Sequence, residues 1–169
     1  MMIRILGAML TVLAGGLYAM HITKEHRQKE AYLEELLLIL EHFTWELQTN
    51  LSPLSTCCTA AARCVRGKMG DFFLLLAKQL HRADAPTPAA CMRSILEQEH
   101  IPSPVRDRLG QLGDTLGRYD LSGQIGGLQA LQELCRRDLQ ALAGERQKTV
   151  KSCQALGLCT GAALAILLL

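Results

Sequence analysis

Aromatic residues make up only 4% of this 169-residue chain, as three Phe, three Tyr and one Trp. So few rings argue against a surface on which nucleobases stack. The net formal charge is +2, and no basic stripe of the kind that grips a phosphate backbone is visible. No nucleic acid is expected as a partner. No segment alternates with the period of a strand, and β-branched residues are few, which leaves sheet architectures without a pattern. The phosphate loop G-x-x-x-x-G-K-S/T is absent, as are the G-x-S-x-G elbow and the H-E-x-x-H metal helix.

The cysteines carry no disulfide or metal signature either. There are seven: Cys57, Cys58, Cys64, Cys91, Cys135, Cys153 and Cys159. The count is odd, no C-x-x-C pair occurs, and scattered thiols fit a reducing compartment. The nearest approach to a zinc set is Cys57 and Cys58 with His42 on a neighbouring helix, and these read better as small apolar helix residues. His81 and His100 sit among charges near helix ends, as solvated or capping residues. The pairs Glu34–Glu35 and Glu97/Glu99 read as exposed helix faces, and Arg136–Arg137 as a solvated face balanced by Glu133 and Asp138. No catalytic residue, metal or cofactor is expected.

What the chain does have is apolar sequence at its two ends. Residues 5–23 contain no Lys, Arg, Asp or Glu, close to the ~20 residues that cross a bilayer core. Tyr18 and His21 suit the interface. A cleavable signal would need small residues at its cleavage site, and Leu17-Tyr18-Ala19-Met20 offers a poor one, so an uncleaved anchor is expected. Residues 152–169 are also uncharged and close on Ala-Leu-Ala-Ile-Leu-Leu-Leu. Gly157 and Gly161 give this segment a G-x-x-x-G spacing that would let another membrane helix approach closely. Lys24, Arg27 and Lys29 flank the first segment on its inner side, and Arg146, Lys148 and Lys151 flank the second. The positive-inside rule then turns the middle of the chain to the cytoplasm.

Between the anchors the spacing is helical. Leu33, Leu36, Leu37, Leu40, Phe43, Thr44, Leu47 and Leu51 recur in threes and fours over 29–51, in a helix that no Pro or Gly interrupts after Gly16. Ser52-Pro53 predicts a restart, with Gly67 ending that second helix. A third follows Gly70-Asp71 through Phe72, Phe73, Leu75, Leu76 and Leu80. Thr87-Pro88 caps a fourth, and Pro102-Ser103-Pro104 opens a fifth through Val105, Leu109, Leu112 and Leu116. A last helix starts near Asp120 along Leu121, Ile125, Leu128, Leu131, Cys135, Leu139 and Leu142. The expected fold is all-α, an antiparallel helical bundle with N- and C-terminal transmembrane helices. Its parts are an anchor at 1–23, a cytoplasmic helical domain at 24–151 and an anchor at 152–169.

Residues 105–128 are the most distinctive. They carry Leu112-Gly113-x-x-Leu116-Gly117-x-x-Asp120-x-x-x-Gln124. By residue type this is a helix–helix corner. Gly113 and Gly117 would permit close packing, Gly117 would end one helix, and Asp120 would cap the next, with Gln124 one turn on. A partner-contact surface is the other reading. The pattern resembles the stage III sporulation protein AB family of endospore-forming bacteria. Glu46 with Leu51-Ser-Pro-Leu54, the small-residue N-terminal segment and the apolar close from Leu156-Gly157 agree with it over essentially the whole length. The cysteines and Trp45 stand outside the resemblance.

The resemblance implies a protein of the mother-cell membrane around the forespore, in a multi-protein channel. It implies a soluble part similar to the cytoplasmic domain of the inner-membrane platform protein of type II secretion systems. The implied role is to dock or regulate a secretion-type ATPase encoded in the same operon, beside other sporulation channel proteins. The alternatives are a small membrane-bound enzyme with a site between helices, and an assembly protein acting through its G-x-x-x-G span.

Overall fold

The computed structural model describes the backbone of residues 2–50, 52–82, 87–116 and 120–168. Side chains are described for 24–50, 52–82, 87–116, 120–148 and 152. Among the described residues all regular structure is helical, with six helices and no strand. They are α1 (Met2–Thr49), α2 (Leu54–Cys64), α3 (Lys68–Leu80), α4 (Pro88–Gln98), α5 (Val105–Thr115) and α6 (Leu121–Leu168). Residues 29–139 form one compact unit, and 1–28 with 140–169 form another. Among the described residues no helix is long and apolar enough to cross a membrane. The expected anchors at 1–23 and 152–169, with Gly157 and Gly161, fall outside the described side chains, Ser152 apart.

The 29–139 unit is built on a stripe of α1. Tyr32, Leu33, Leu36, Ile39, Leu40, Phe43 and Leu47 are buried, at the three- and four-residue steps that hold one helix face inward. This stripe is wider than the sequence spacing suggests: Ile39 is fully buried, whereas Leu37 is only half-buried. Phe43 reaches Phe73 of α3 with ring centroids 5.8 Å apart, and Phe73 meets Phe72 edge-on at 5.4 Å. Such pairs add roughly 0.5–1.5 kcal/mol each beyond the area they bury. Leu75, expected in this face, is 41% exposed.

Several helix boundaries depart from the sequence reading. Pro53, not Ser52, occupies the N-cap position of α2, in an extended conformation and without a side-chain cap. The Ser52 hydroxyl instead donates back to Glu46 Oε2 at 3.1 Å, so it secures the end of α1. The α2 helix closes on Val65 in an extended conformation, ahead of Gly67. Gly67 has φ +92°, a region that only glycine enters readily, and it leads into α3. The α3 helix accordingly begins at Lys68, before Gly70-Asp71. At α4 the structure follows the sequence: Thr87 Oγ1 accepts the Ala90 N–H and Pro88 opens the helix.

Two polar ties lock α6 into the unit. Gln132 is buried, and its Nε2 donates to Leu40 O at 3.2 Å and to Thr44 Oγ1 at 2.9 Å. Thr44 in turn donates to Leu40 O at 2.8 Å, so the carbonyl collects both donors. Arg108 of α5 grips Asp138 through Nε at 2.7 Å and Nη2 at 3.2 Å, a two-point geometry available only to arginine. Asp138 therefore does not balance Arg136–Arg137. Those two turn outward, Arg136 to Glu41 and Arg137 to Glu133, each at 3.1 Å.

Candidate functional site

The most distinctive sequence pattern folds into the corner where α4, α5 and α6 meet. Leu112 and Leu116 are buried at 0% and 2% exposure. Gly113 lies between them on the α4 side. A Cβ there would sit 3.0 Å from Met92 Cβ and 3.3 Å from the Ala89 Cα, inside normal carbon–carbon contact. The missing side chain therefore sets how closely α5 approaches α4. The α5 helix ends at Thr115, and Leu116 takes an extended conformation while its N–H still reaches Leu112 O at 3.0 Å. Gly117, expected as the cap, lies outside the described residues.

Asp120 opens α6 by the chemistry its residue type suggests. Its Oδ1 accepts the Gly123 N–H at 3.1 Å, its Oδ2 accepts the Ser122 hydroxyl at 2.6 Å, and its carbonyl accepts the Gln124 N–H at 2.9 Å. The Ser122 hydroxyl first, and then the Gly123 N–H, hold the Asp120 carboxyl below its usual value. One turn further on, Gly127 faces Thr115, whose Cγ2 would stand 2.5 Å from an added Cβ. Glycine inside a helix ordinarily weakens it, by about 1 kcal/mol relative to Ala. The structure gives Gly127 the opposite role, as the place where α6 passes the end of α5. The pattern thus splits: Leu112, Gly113 and Leu116 are interior, and Asp120 is exposed with both carboxylate oxygens engaged.

Chemistry elsewhere is quiet. Among the described residues no group of three or more His, Cys, Asp or Glu side chains is placed to hold a metal ion. Cys57 and Cys58 are buried with no histidine completing a set. Burial pushes the Cys58 thiol up to about 12 and the Cys135 thiol up to about 11, the latter also through the Asp138 charge. Burial likewise raises Cys57, helped by the nearby Glu46 charge. Such thiols are poor nucleophiles. His81 and His100 are exposed, with the His81 N–H closing α3 onto Ala77 O at 3.0 Å.

Two surface features escaped the sequence reading. An open groove of about 450 Å³ runs between α2 and α3, lined by Thr56 and Thr59 on one side and Leu74, Ala77, Lys78 and His81 on the other. On α1, Leu38 and Trp45 are 53% and 54% exposed, and His42 stacks against the Trp45 ring at 6.2 Å. The signal for the second was present in the sequence. Leu38 falls outside the buried spacing of 33, 36, 40, 43 and 47, and so does Trp45.

The family model described as Stage III sporulation protein AB (spore_III_AB) matches residues 4–169. Among solved structures, one described as "Stage III sporulation protein AB (SpoIIIAB)" aligns with a TM-score of 0.54 at 16% identity. The alignment covers 75% of this chain and 97% of that one. At that identity the likeness speaks for the fold. No curated protein sequence matches the chain.

Proposed function

The chain belongs to the stage III sporulation protein AB family, and from that premise we propose that it is a non-catalytic, membrane-anchored component of the channel between mother cell and forespore. It is a sporulation-related protein, and in this reading its helical domain docks or regulates a secretion-type ATPase encoded in the same operon. The anchors at 1–23 and 152–169 hold the domain at the mother-cell membrane around the forespore. The lysines and arginines at 24–29 and 146–151 turn it to the cytoplasm.

The single observation that carries this reading is the reach of the family match. It covers both apolar ends as well as the helical unit, so the whole arrangement belongs to the family and not the bundle alone. Two features support a scaffold over a membrane enzyme. The buried polar side chain of the core, Gln132, spends its amide on Leu40 and Thr44. The buried thiols at 57, 58 and 135 are held in their protonated form. A docking protein needs no nucleotide site of its own, and the sequence has no phosphate loop.

The test is co-purification from detergent-solubilised membranes of sporulating cells carrying a tagged chain. The ATPase and other channel proteins are expected in the eluate. A tagged chain that is stable, membrane-bound and recovered without the ATPase would overturn the docking role.

A further inference from the structure

Charge on the 29–139 unit is sorted by element. Residues 30–50 of α1 carry Glu30, Glu34, Glu35, Glu41 and Glu46 and no Lys or Arg. The α2–α3 hairpin, 53–82, carries Arg63, Arg66, Lys68, Lys78 and Arg82 against one carboxylate, Asp71. All five cations are exposed, and among the described residues none of them forms an ion pair. Glu34 and Glu41 are the exposed carboxylates of the α1 stretch, Glu41 being paired with Arg136, so the unit presents Glu34 on one face and five cations on another.

Each face also carries exposed apolar side chains. On α1 the exposed positions 31, 34, 38, 41, 45 and 48 follow steps of three and four, a second stripe on a face distinct from the buried one. It reads Ala31, Glu34, Leu38, Glu41, Trp45 and Gln48, with its two large apolar members alternating with carboxylates. On α3, Leu74 is 40% exposed and lines the groove that α2 and α3 enclose, together with Lys78. The α1 stripe is about 26 Å long and α3 about 20 Å, at 1.5 Å per residue. The two faces are opposite in charge, and each carries an exposed apolar side chain one helical turn from its charged residue, Leu38 from Glu34 and Leu74 from Lys78.

We propose that the α2–α3 groove of one copy receives the exposed α1 stripe of a second copy, with Leu38 meeting Leu74, Glu34 meeting Lys78 and Trp45 enclosed in the same contact. The contact joins two different faces, so it is heterologous and repeats from copy to copy. Confinement of all copies to one membrane would raise their effective concentration and let a modest interface suffice. The charges guide and orient the encounter, and the buried Leu and Trp supply the affinity. This assembly is independent of whether an ATPase binds.

Trp45 is the chain's one tryptophan, so its fluorescence reads this interface directly. The full-length chain is studied in detergent micelles at a fixed detergent-to-protein ratio, with sedimentation velocity in parallel. The expected result is a blue shift of Trp45 emission and a rising sedimentation coefficient as protein concentration increases, both weakened by salt. Leu38→Glu weakens association about 30-fold or more, the scale of a central interface residue. Lys78→Glu and Glu34→Lys each associate poorly alone, because like charges then meet. Their equimolar mixture recovers, since each contact between unlike chains pairs opposite charges. All three positions are exposed, and unchanged circular dichroism verifies folding. Emission independent of concentration overturns the proposal. So does association that survives Leu38→Glu, a mixture that fails to recover, or a blue shift seen only on adding anionic vesicles.

Discussion

Gly113 and Gly110 lie one turn apart on α5 and make a matched pair for testing how the corner is built. A Cβ at Gly110 meets nothing within 4 Å, whereas one at Gly113 meets Met92 Cβ at 3.0 Å and Ala89 Cα at 3.3 Å. Replacing either glycine with alanine gains helix propensity, about 0.8–1 kcal/mol in a helix interior. At Gly110 that gain stands alone, and Gly110→Ala is expected to stabilise by about 0.5–1 kcal/mol. At Gly113 it is opposed by overpacking, which costs roughly 1–3 kcal/mol when a methyl is forced into a filled core. The obstructing atoms are a backbone carbon and a first side-chain carbon, so no rotamer change clears them and α4 must move. Gly113→Ala is therefore expected to destabilise by about 1 kcal/mol, and Gly113→Leu by more. The assay is urea unfolding of residues 24–151 followed by circular dichroism, comparing midpoints at constant slope. If Gly113→Ala stabilises as much as Gly110→Ala, the argument that Gly113 sets the α4–α5 distance is wrong.

Three further outcomes follow from the same geometry. The Asp120 carboxyl is held below its usual value, so its capping contribution is present above the unfolded value of about 3.8 and is lost as pH falls through the lower folded value. Protection factors at the first amides of α6 should fall under acid, and in Asp120→Ala at neutral pH. Gln132→Ala leaves the Thr44 hydroxyl and Leu40 carbonyl short of a buried donor and should cost about 1–3 kcal/mol, whereas Gln132→Met with Thr44→Val should recover most of it in a double-mutant cycle. Among the described thiols, Cys64 is exposed while Cys57, Cys58, Cys91 and Cys135 are buried and raised. Of these five, an aromatic disulfide reagent should therefore label Cys64 in the native chain at once, and the other four only on unfolding.

Helix existence was legible wherever a period and a stop signal coincided. The buried spacing over 33–47, the Thr87-Pro88 start and the Asp120 start all rest on local chemistry, and all three elements form there. Boundaries that depend on tertiary contact were not legible. Ser52 has the composition of an N-cap, but a half-buried Glu46 carboxylate competes for its hydroxyl and wins. Gly67 has the composition of a helix end, yet Val65 breaks the helix first and Gly67 serves the entry to α3. Gln132 and Arg108 were invisible as structural residues because their partners lie 92 and 30 positions away. The corner pattern could be read as a packing motif from its residue types, but not that Gly127 would receive Thr115. The exposed Leu38 and Trp45 were not legible as a surface feature, because single apolar residues on a solvent face are common in folded proteins.

The helical domain is proposed as a docking module for a secretion-type ATPase. The most direct test is a calorimetric titration of residues 24–151 with the purified ATPase proposed as its partner, at physiological salt, with both components verified as folded. Saturable binding with a fixed stoichiometry is the predicted result. No heat and no co-elution, from two folded proteins at concentrations of tens of micromolar, would contradict it.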